Sequence, residues 1–189
     1  MIRIITEPLT ERIANFVFTN STTPSSKAVL KYGIAISLNY LMFALAVVAV
    51  AWATGEIANG IVVIIAFPFL RYFSGGLHLK SAELCSVISA LIVLPAIYIS
   101  LHPTMILILT LLSILILLVT APANVKRSTI APKYYPILKG IAMLIVATNL
   151  IFMSPVLAIA FFTQSLTTLG VINKTLEYIT KPRKGAEKV

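Results

Sequence analysis

The chain contains no aspartate, and its six acids are Glu7, Glu11, Glu56, Glu83, Glu177 and Glu187, scattered through 189 residues. Two carboxylates sharing one site, the requirement of an aspartyl intramembrane protease, are not available in that pattern. Nor is a group of oxygen ligands for magnesium. Cys85 is the only cysteine, so no internal disulfide forms, and no zinc-type Cys/His spacing exists. No metal or other cofactor is expected. Charge of either sign is scarce: 11% of residues are charged and 59% hydrophobic, with a mean hydropathy of +0.98. A soluble domain carries about 25% charged residues. Too few charges remain to wet a globular surface, so the apolar excess is expected to face lipid. Met1 to Asn20 lacks an uninterrupted apolar run, which speaks against a cleavable signal and leaves insertion to the longer spans.

What is present is a series of apolar stretches, each set against the roughly 20 residues a helix needs to span a bilayer. They run from Ile34 to Ala53, Ile57 to Phe73, Leu84 to Leu101, Thr104 to Ala121, Ile137 to Met153 and Val156 to Ile172. Pro68 and Pro95 fall inside the second and third and predict kinks, which membrane helices tolerate. The basic residues test the count independently. Arg3, Arg12, Lys27 and Lys31 precede the first stretch; Arg71 and Lys80 follow the second. Lys126, Arg127, Lys133 and Lys139 follow the fourth, and Lys174, Lys181, Arg183, Lys184 and Lys188 follow the sixth. All fall on one side of a six-span arrangement, as the positive-inside rule requires. Both termini are thus expected in the cytosol. The net charge of +9 reads as orientation in the membrane rather than as a nucleic-acid surface.

The expected fold is all-α, a polytopic bundle of about six transmembrane helices forming one membrane domain over 1–189. An amphipathic interfacial helix and linker occupy 1–26, the bundle 27–173 and a basic cytosolic tail 174–189. In the first part Pro8 can open a helix. Leu9, Ile13, Phe16 and Val17 then share one face, and Glu11, Arg12 and Asn15 the other. Such a helix either lies in the cytosolic interface or caps the bundle.

Chemistry concentrates between the second and third stretches, where the chain reads Arg71-Tyr-Phe-Ser-Gly75-Gly76-Leu-His78-Leu-Lys-Ser81-Ala-Glu83-Leu-Cys85. On one unbroken helix, residues seven apart are displaced by about 10 Å, too far for an imidazole to serve a thiol. Cooperation of His78 with Cys85 therefore demands a turn. Ser81 is a suitable N-cap, and Gly75-Gly76 loosens the backbone on the other side. Cys85 then falls in the first turn of the third helix, where the dipole favours a thiolate. Glu83 opposes this and is expected to point away or to pair with Arg71 or Lys80. Backbone N–H groups at Gly76 and Cys85 are candidate oxyanion donors. The plain alternatives are a small apolar side chain for Cys85 and a solvated His78. His102 reads as an external-loop residue, and Trp52, Tyr134 and Tyr135 as interfacial aromatics.

Arg71, Gly75-Gly76, His78 and Cys85, with six residues between His and Cys, resemble the signature of the accessory gene regulator B (AgrB) family. Ala121-Pro122-Ala123-Asn124, leading into Lys126-Arg127, is similar to a second motif of that family. The resemblance implies a membrane cysteine endopeptidase that matures a quorum-sensing propeptide, with Cys85 as nucleophile and His78 as base and acid. Removal of the propeptide's C-terminal tail would leave a thioester on Cys85, which a cysteine or serine of the peptide attacks to close a thiolactone or lactone. Gly75, Gly76 and Arg71 are assigned to oxyanion binding or positioning; Arg71 is either a carboxylate binder or an interfacial anchor. Family propeptides carry an amphipathic N-terminus and an acidic tail, which Lys126, Arg127 and Lys133 are placed to attract. The other expected partner is the lipid bilayer, and dimerisation through helix faces is compatible with this class. The competing reading is a small peptide exporter without covalent chemistry, for which Asn39, Asn149 and Gln164 are the only notable polar residues within spans.

Overall fold

The computed structural model describes residues 6–20, 26–76, 82–123 and 131–170. Their secondary structure is helical: α1 (Thr6–Asn20), α2 (Lys27–Thr54), α3 (Ile57–Ser74), α4 (Ala82–Val93), α5 (Pro103–Thr120), α6 (Tyr135–Ala147), α7 (Asn149–Phe152) and α8 (Pro155–Thr167). Two tighter 3-10 turns, Leu94–Ile97 and Pro132–Tyr134, extend α4 and precede α6. Four helical stretches are long and apolar enough to cross a membrane: Lys27–Thr54, Ile57–Ser74, Pro103–Thr120 and Pro132–Phe152. The third and sixth apolar segments, Ser86–Ile97 and Pro155–Thr167, are shorter.

Exposed apolar stripes explain why so hydrophobic a chain folds this way. On α3, Ile57, Ile61, Ile65, Phe69 and Tyr72 point outward at the three- and four-residue spacing of one helix face. Leu41, Leu45, Val48 and Trp52 do so on α2. Surfaces of this extent are stable against lipid and not against water, so this is a membrane protein.

Inside, the side chains form two clusters. Phe43, Val47 and Ala51 of α2 meet Val63 and Phe67 of α3, Ala90 and Val93 of α4, and Val156 and Ala160 of α8. The rings of Phe43 and Phe67 stack with centroids 5.7 Å apart. Leu70, Leu117, Ala121, Ala142, Val146 and Phe161 make the second cluster. Both clusters include α8, which lies in the middle of the bundle. Its buried residues Val156, Ala158, Ala160, Phe161, Gln164, Ser165 and Thr167 take up somewhat more than half of the helix circumference, and the rest of α8 is half-buried, with no residue of the helix exposed.

The prolines act differently from one another. Pro68 lies within α3 without ending it. Lacking an N–H, it frees the carbonyl four residues back, and the Tyr40 hydroxyl donates to that Ile64 oxygen at 3.1 Å. Pro95, expected to kink a continuing helix, instead sits in the 3-10 turn that follows the end of α4 at Val93. The third apolar segment is therefore shorter than Leu84 to Leu101. Pro103 and Pro155 occupy first-turn positions, where no N–H is missed. His102 is the N-cap of α5, its ring nitrogen accepting from the Thr104 amide at 3.4 Å.

The N-terminal helix packs on the bundle through one face. Thr10 is 2% exposed and Ala14 fully buried, on the side where α1 packs along α2; Lys31 on α2 lies 3.6 Å from the Glu11 carboxylate. Leu9, Phe16 and Val17 remain exposed, Phe16 by 71%. Small residues dock the helix, and its large apolar ones are left outward.

Candidate active site

Helix α3 ends at Ser74, and the next described helix begins at Ala82, so α3 and α4 are separate elements. The interruption starts at Gly75, which has φ 68° and ψ −147°, a backbone region open essentially to glycine alone; Gly76 follows with φ 141°. The Gly75 amide donates to Arg71 O at 3.0 Å. From there the chain runs against the segment after α5. Ala123 N donates to Ser74 O at 2.9 Å, and Gly76 N to Ala123 O at 3.3 Å, forming an isolated parallel bridge between Gly75 and Ala123. The Ala121–Pro122 peptide just before it is cis. Gly75-Gly76 and Ala121-Pro122-Ala123, the described parts of the two motif stretches, thus lie side by side.

Crowding explains why two glycines are needed here. A Cβ on Gly75 would run into the Ala123 carbonyl oxygen, and one on Gly76 would lie 2.7 Å from Thr167 Oγ1 and 3.1 Å from Gln164 Nε2. The sequence suggested loosening; the structure has the pair tightly enclosed. It also spends the N–H groups of both glycines on internal partners, so an oxyanion role for Gly76 would require its bond to Ala123 to open.

A buried amide closes the junction. Gln164 of α8 is fully buried, and its Nε2 donates to Gly75 O at 2.7 Å and Ser74 Oγ at 3.0 Å. Thr167 Oγ1 donates to Gln164 O at 2.7 Å and approaches Oε1 at 3.3 Å. Alongside, the Thr120 and Thr168 hydroxyls share a 2.5 Å hydrogen bond from the end of α5 to the end of α8. Sequence reasoning missed Gln164 as a site residue, because its partners lie in a different apolar segment far back along the chain.

Arg71 lies in the last turn of α3, and its Nη1 donates to Ser89 Oγ on α4 at 3.0 Å. Ser89 stands four residues after Cys85, and residues at that spacing share a helix face. The guanidinium thus ties the end of α3 to the helix that carries the cysteine. One turn up, Ser86 Oγ donates to Asn39 O at 3.3 Å, tethering α4 to α2. Cys85 falls in the first turn of α4; its side chain, and that of Glu83, lie outside the described part of the structure, as do His78, Ser81, Lys126 and Arg127. The Lys133 ammonium lies 5.0 Å from the Tyr134 ring centroid. Lys139 donates to Leu118 O at 2.8 Å, serving the carbonyl end of α5.

The three residues on which the exporter reading stands, Asn39, Asn149 and Gln164, all have structural partners. Asn39 bonds to Ala35 O and receives Ser86, and Gln164 holds the glycine junction. Asn149, fully buried, donates to Thr110 Oγ1 at 3.0 Å and accepts from Ser154 N at 3.0 Å.

Comparison with known proteins agrees with the motifs. The family model of Accessory gene regulator B matches residues 10–180. An accessory gene regulator protein B of Staphylococcus intermedius is 35% identical over 111 residues, covering 57% of this chain and 50% of that relative. An AgrB-like protein of Halalkalibacterium halodurans is 35% identical over 74 residues, 39% of this chain and 38% of its own. The chain thus spans half or less of the length of these curated relatives. No solved structure matches. With one family model covering nearly the whole chain, this membrane protein belongs to the accessory gene regulator B family.

Proposed function

We propose that the chain is a membrane cysteine endopeptidase that removes the C-terminal tail of a quorum-sensing propeptide and promotes its cyclisation. In this reading His78 takes the Cys85 proton, and the thiolate attacks the scissile carbonyl. His78 then returns the proton to the departing amine, leaving the peptide as a thioester on Cys85. A thiol or hydroxyl of the bound peptide attacks that thioester, the ring closes, and the Cys85 thiol is regenerated. Exchange of one thioester for another is nearly neutral, so bond energy is kept in the ring. A partly dry site limits hydrolysis, and the nucleophile's attachment to the acyl chain raises its effective concentration.

The observation that carries this reading is the junction of Gly75-Gly76 with Ala121-Pro122-Ala123, just ahead of the cysteine-bearing helix. It supplies a rigid base for the short segment that contains His78. The distribution of Lys and Arg supports cytosolic termini and a cytosolic active site. The same loops supply Lys126, Arg127 and Lys133 to draw an acidic tail. Asn39, Asn149 and Gln164 hold helices together, so the exporter reading loses the polar residues on which it stood.

Co-expression with a propeptide that has an amphipathic start and an acidic end tests the assignment. Cys85→Ala and His78→Ala are expected to abolish cleavage while the protein still inserts. Continued cleavage by Cys85→Ala would defeat the assignment. A wild-type adduct sensitive to hydroxylamine is the expected sign of the thioester.

A further inference from the structure

We propose that Gln164 is a positioning residue for the reaction, and that α8 is therefore part of the catalytic apparatus rather than only of the bundle. The inference deepens the endopeptidase reading and rests on it. His78 follows two residues beyond Gly76 in the sequence, and the direction in which the chain leaves α3 is fixed at Gly75 and Gly76. That direction is set from two sides. Ala123 holds the Gly76 amide and the Ser74 carbonyl. Gln164 holds the Gly75 carbonyl and the Ser74 hydroxyl with both hydrogens of one amide.

Several features fit placement better than mere satisfaction of polar groups. The 2.7 Å contact to Gly75 O is directed at the one residue whose ψ of −147° turns the chain out of α3. The amide's remaining oxygen is approached by Thr167 Oγ1 at 3.3 Å, which opposes a flip of the amide. The same Nε2 and Oγ1 atoms occupy the space where a Gly76 Cβ would go. The position lies between packed helices and is fully buried, so water is not at hand to replace a lost donor, and a freed Gly75 carbonyl would turn to find another.

The test exploits Cys85 being the only cysteine of the chain: thiol alkylation of the purified full-length protein in detergent reports on that sulfur alone. Gln164→Met keeps the length and volume of the side chain and removes both donors. We expect kcat for propeptide cleavage to fall by about 100-fold, the cost of a small misplacement of a reacting group, with KM little changed. The pH profile of Cys85 alkylation should move toward that of His78→Ala. Wild-type kcat, or a wild-type alkylation profile, in inserted Gln164→Met protein would overturn the proposal. If Gln164→Met does not accumulate, Thr167→Val, which frees the amide to turn, replaces it. A smaller loss of kcat with the same shift of profile is then expected, and an unshifted profile again overturns the inference. Failure of the endopeptidase reading is distinguishable, because it appears as cleavage surviving Cys85→Ala whatever Gln164 does.

Discussion

The turn between α7 and α8 and the break after α3 are built from the same parts and serve different ends. Each leaves a helix through left-handed backbone, and each is closed by a fully buried side-chain amide. Between α7 and α8 the left-handed residue is Met153, with φ 48°. Its turn is held by Asn149, which reaches Ser154 only five residues away. After α3 the left-handed residues are Gly75 and Gly76, and the amide comes from Gln164 at the far end of the described chain. The first turn carries a side chain where glycine would be easier; the second has no space for a methyl group. A local amide stabilises a turn wherever the turn happens to lie. A distant one fixes it relative to the rest of the bundle, which is what a reacting group requires.

Substitutions should separate the two turns. The largest effect is expected from Gly75→Ala, which meets the Ala123 carbonyl and adds about 1–3 kcal/mol of backbone strain in a region open essentially to glycine. Propeptide cleavage should fall to background, while the protein still reaches the membrane. A cleavage rate near wild type would mean that the junction is unrelated to the site. Asn149→Leu should cost about 1–3 kcal/mol of stability by leaving the Ser154 amide and Thr110 without their partner, read as earlier thermal unfolding in detergent. Cleavage per folded molecule should nevertheless be unchanged; a parallel drop in kcat would erase the distinction drawn between the turns. Ser89→Ala removes the described bond to Arg71 and should lower stability by about 0.6 kcal/mol, typical of a hydrogen bond between membrane helices. Met153→Gly is expected to be mildly stabilising, by up to about 1 kcal/mol, with cleavage untouched. The same thermal measurement checks both.

Much of this architecture was legible in the chain because it rests on composition and local chemistry. Apolar stretches, with bases after every second one, mark the helices, and Pro8 with Leu9, Ile13 and Phe16 announces α1. Segment lengths were less legible. Pro68 and Pro95 look alike in sequence, yet only the first has the Tyr40 hydroxyl at the carbonyl it frees. Whether a proline bends or ends a helix is decided by a neighbour that no local window contains. The glycine pair was readable as special, but its reason was not: enclosure by Ala123, Thr167 and Gln164 depends on how α5 and α8 pack. Gln164, weighed only as a polar residue within a span, belongs to the candidate site through contacts that arise in three dimensions.

The central placement of α8 has a mechanical consequence. Val156 and Ala160 engage one core cluster and Phe161 the other, while one turn further along the same helix Gln164 grips the glycine pair. A slip of this rod along its axis would strain both clusters before it could shift the amide. The glycine junction is thus steadied by the packing of the interior, and a change deep among the apolar residues should be felt there as loss of alignment.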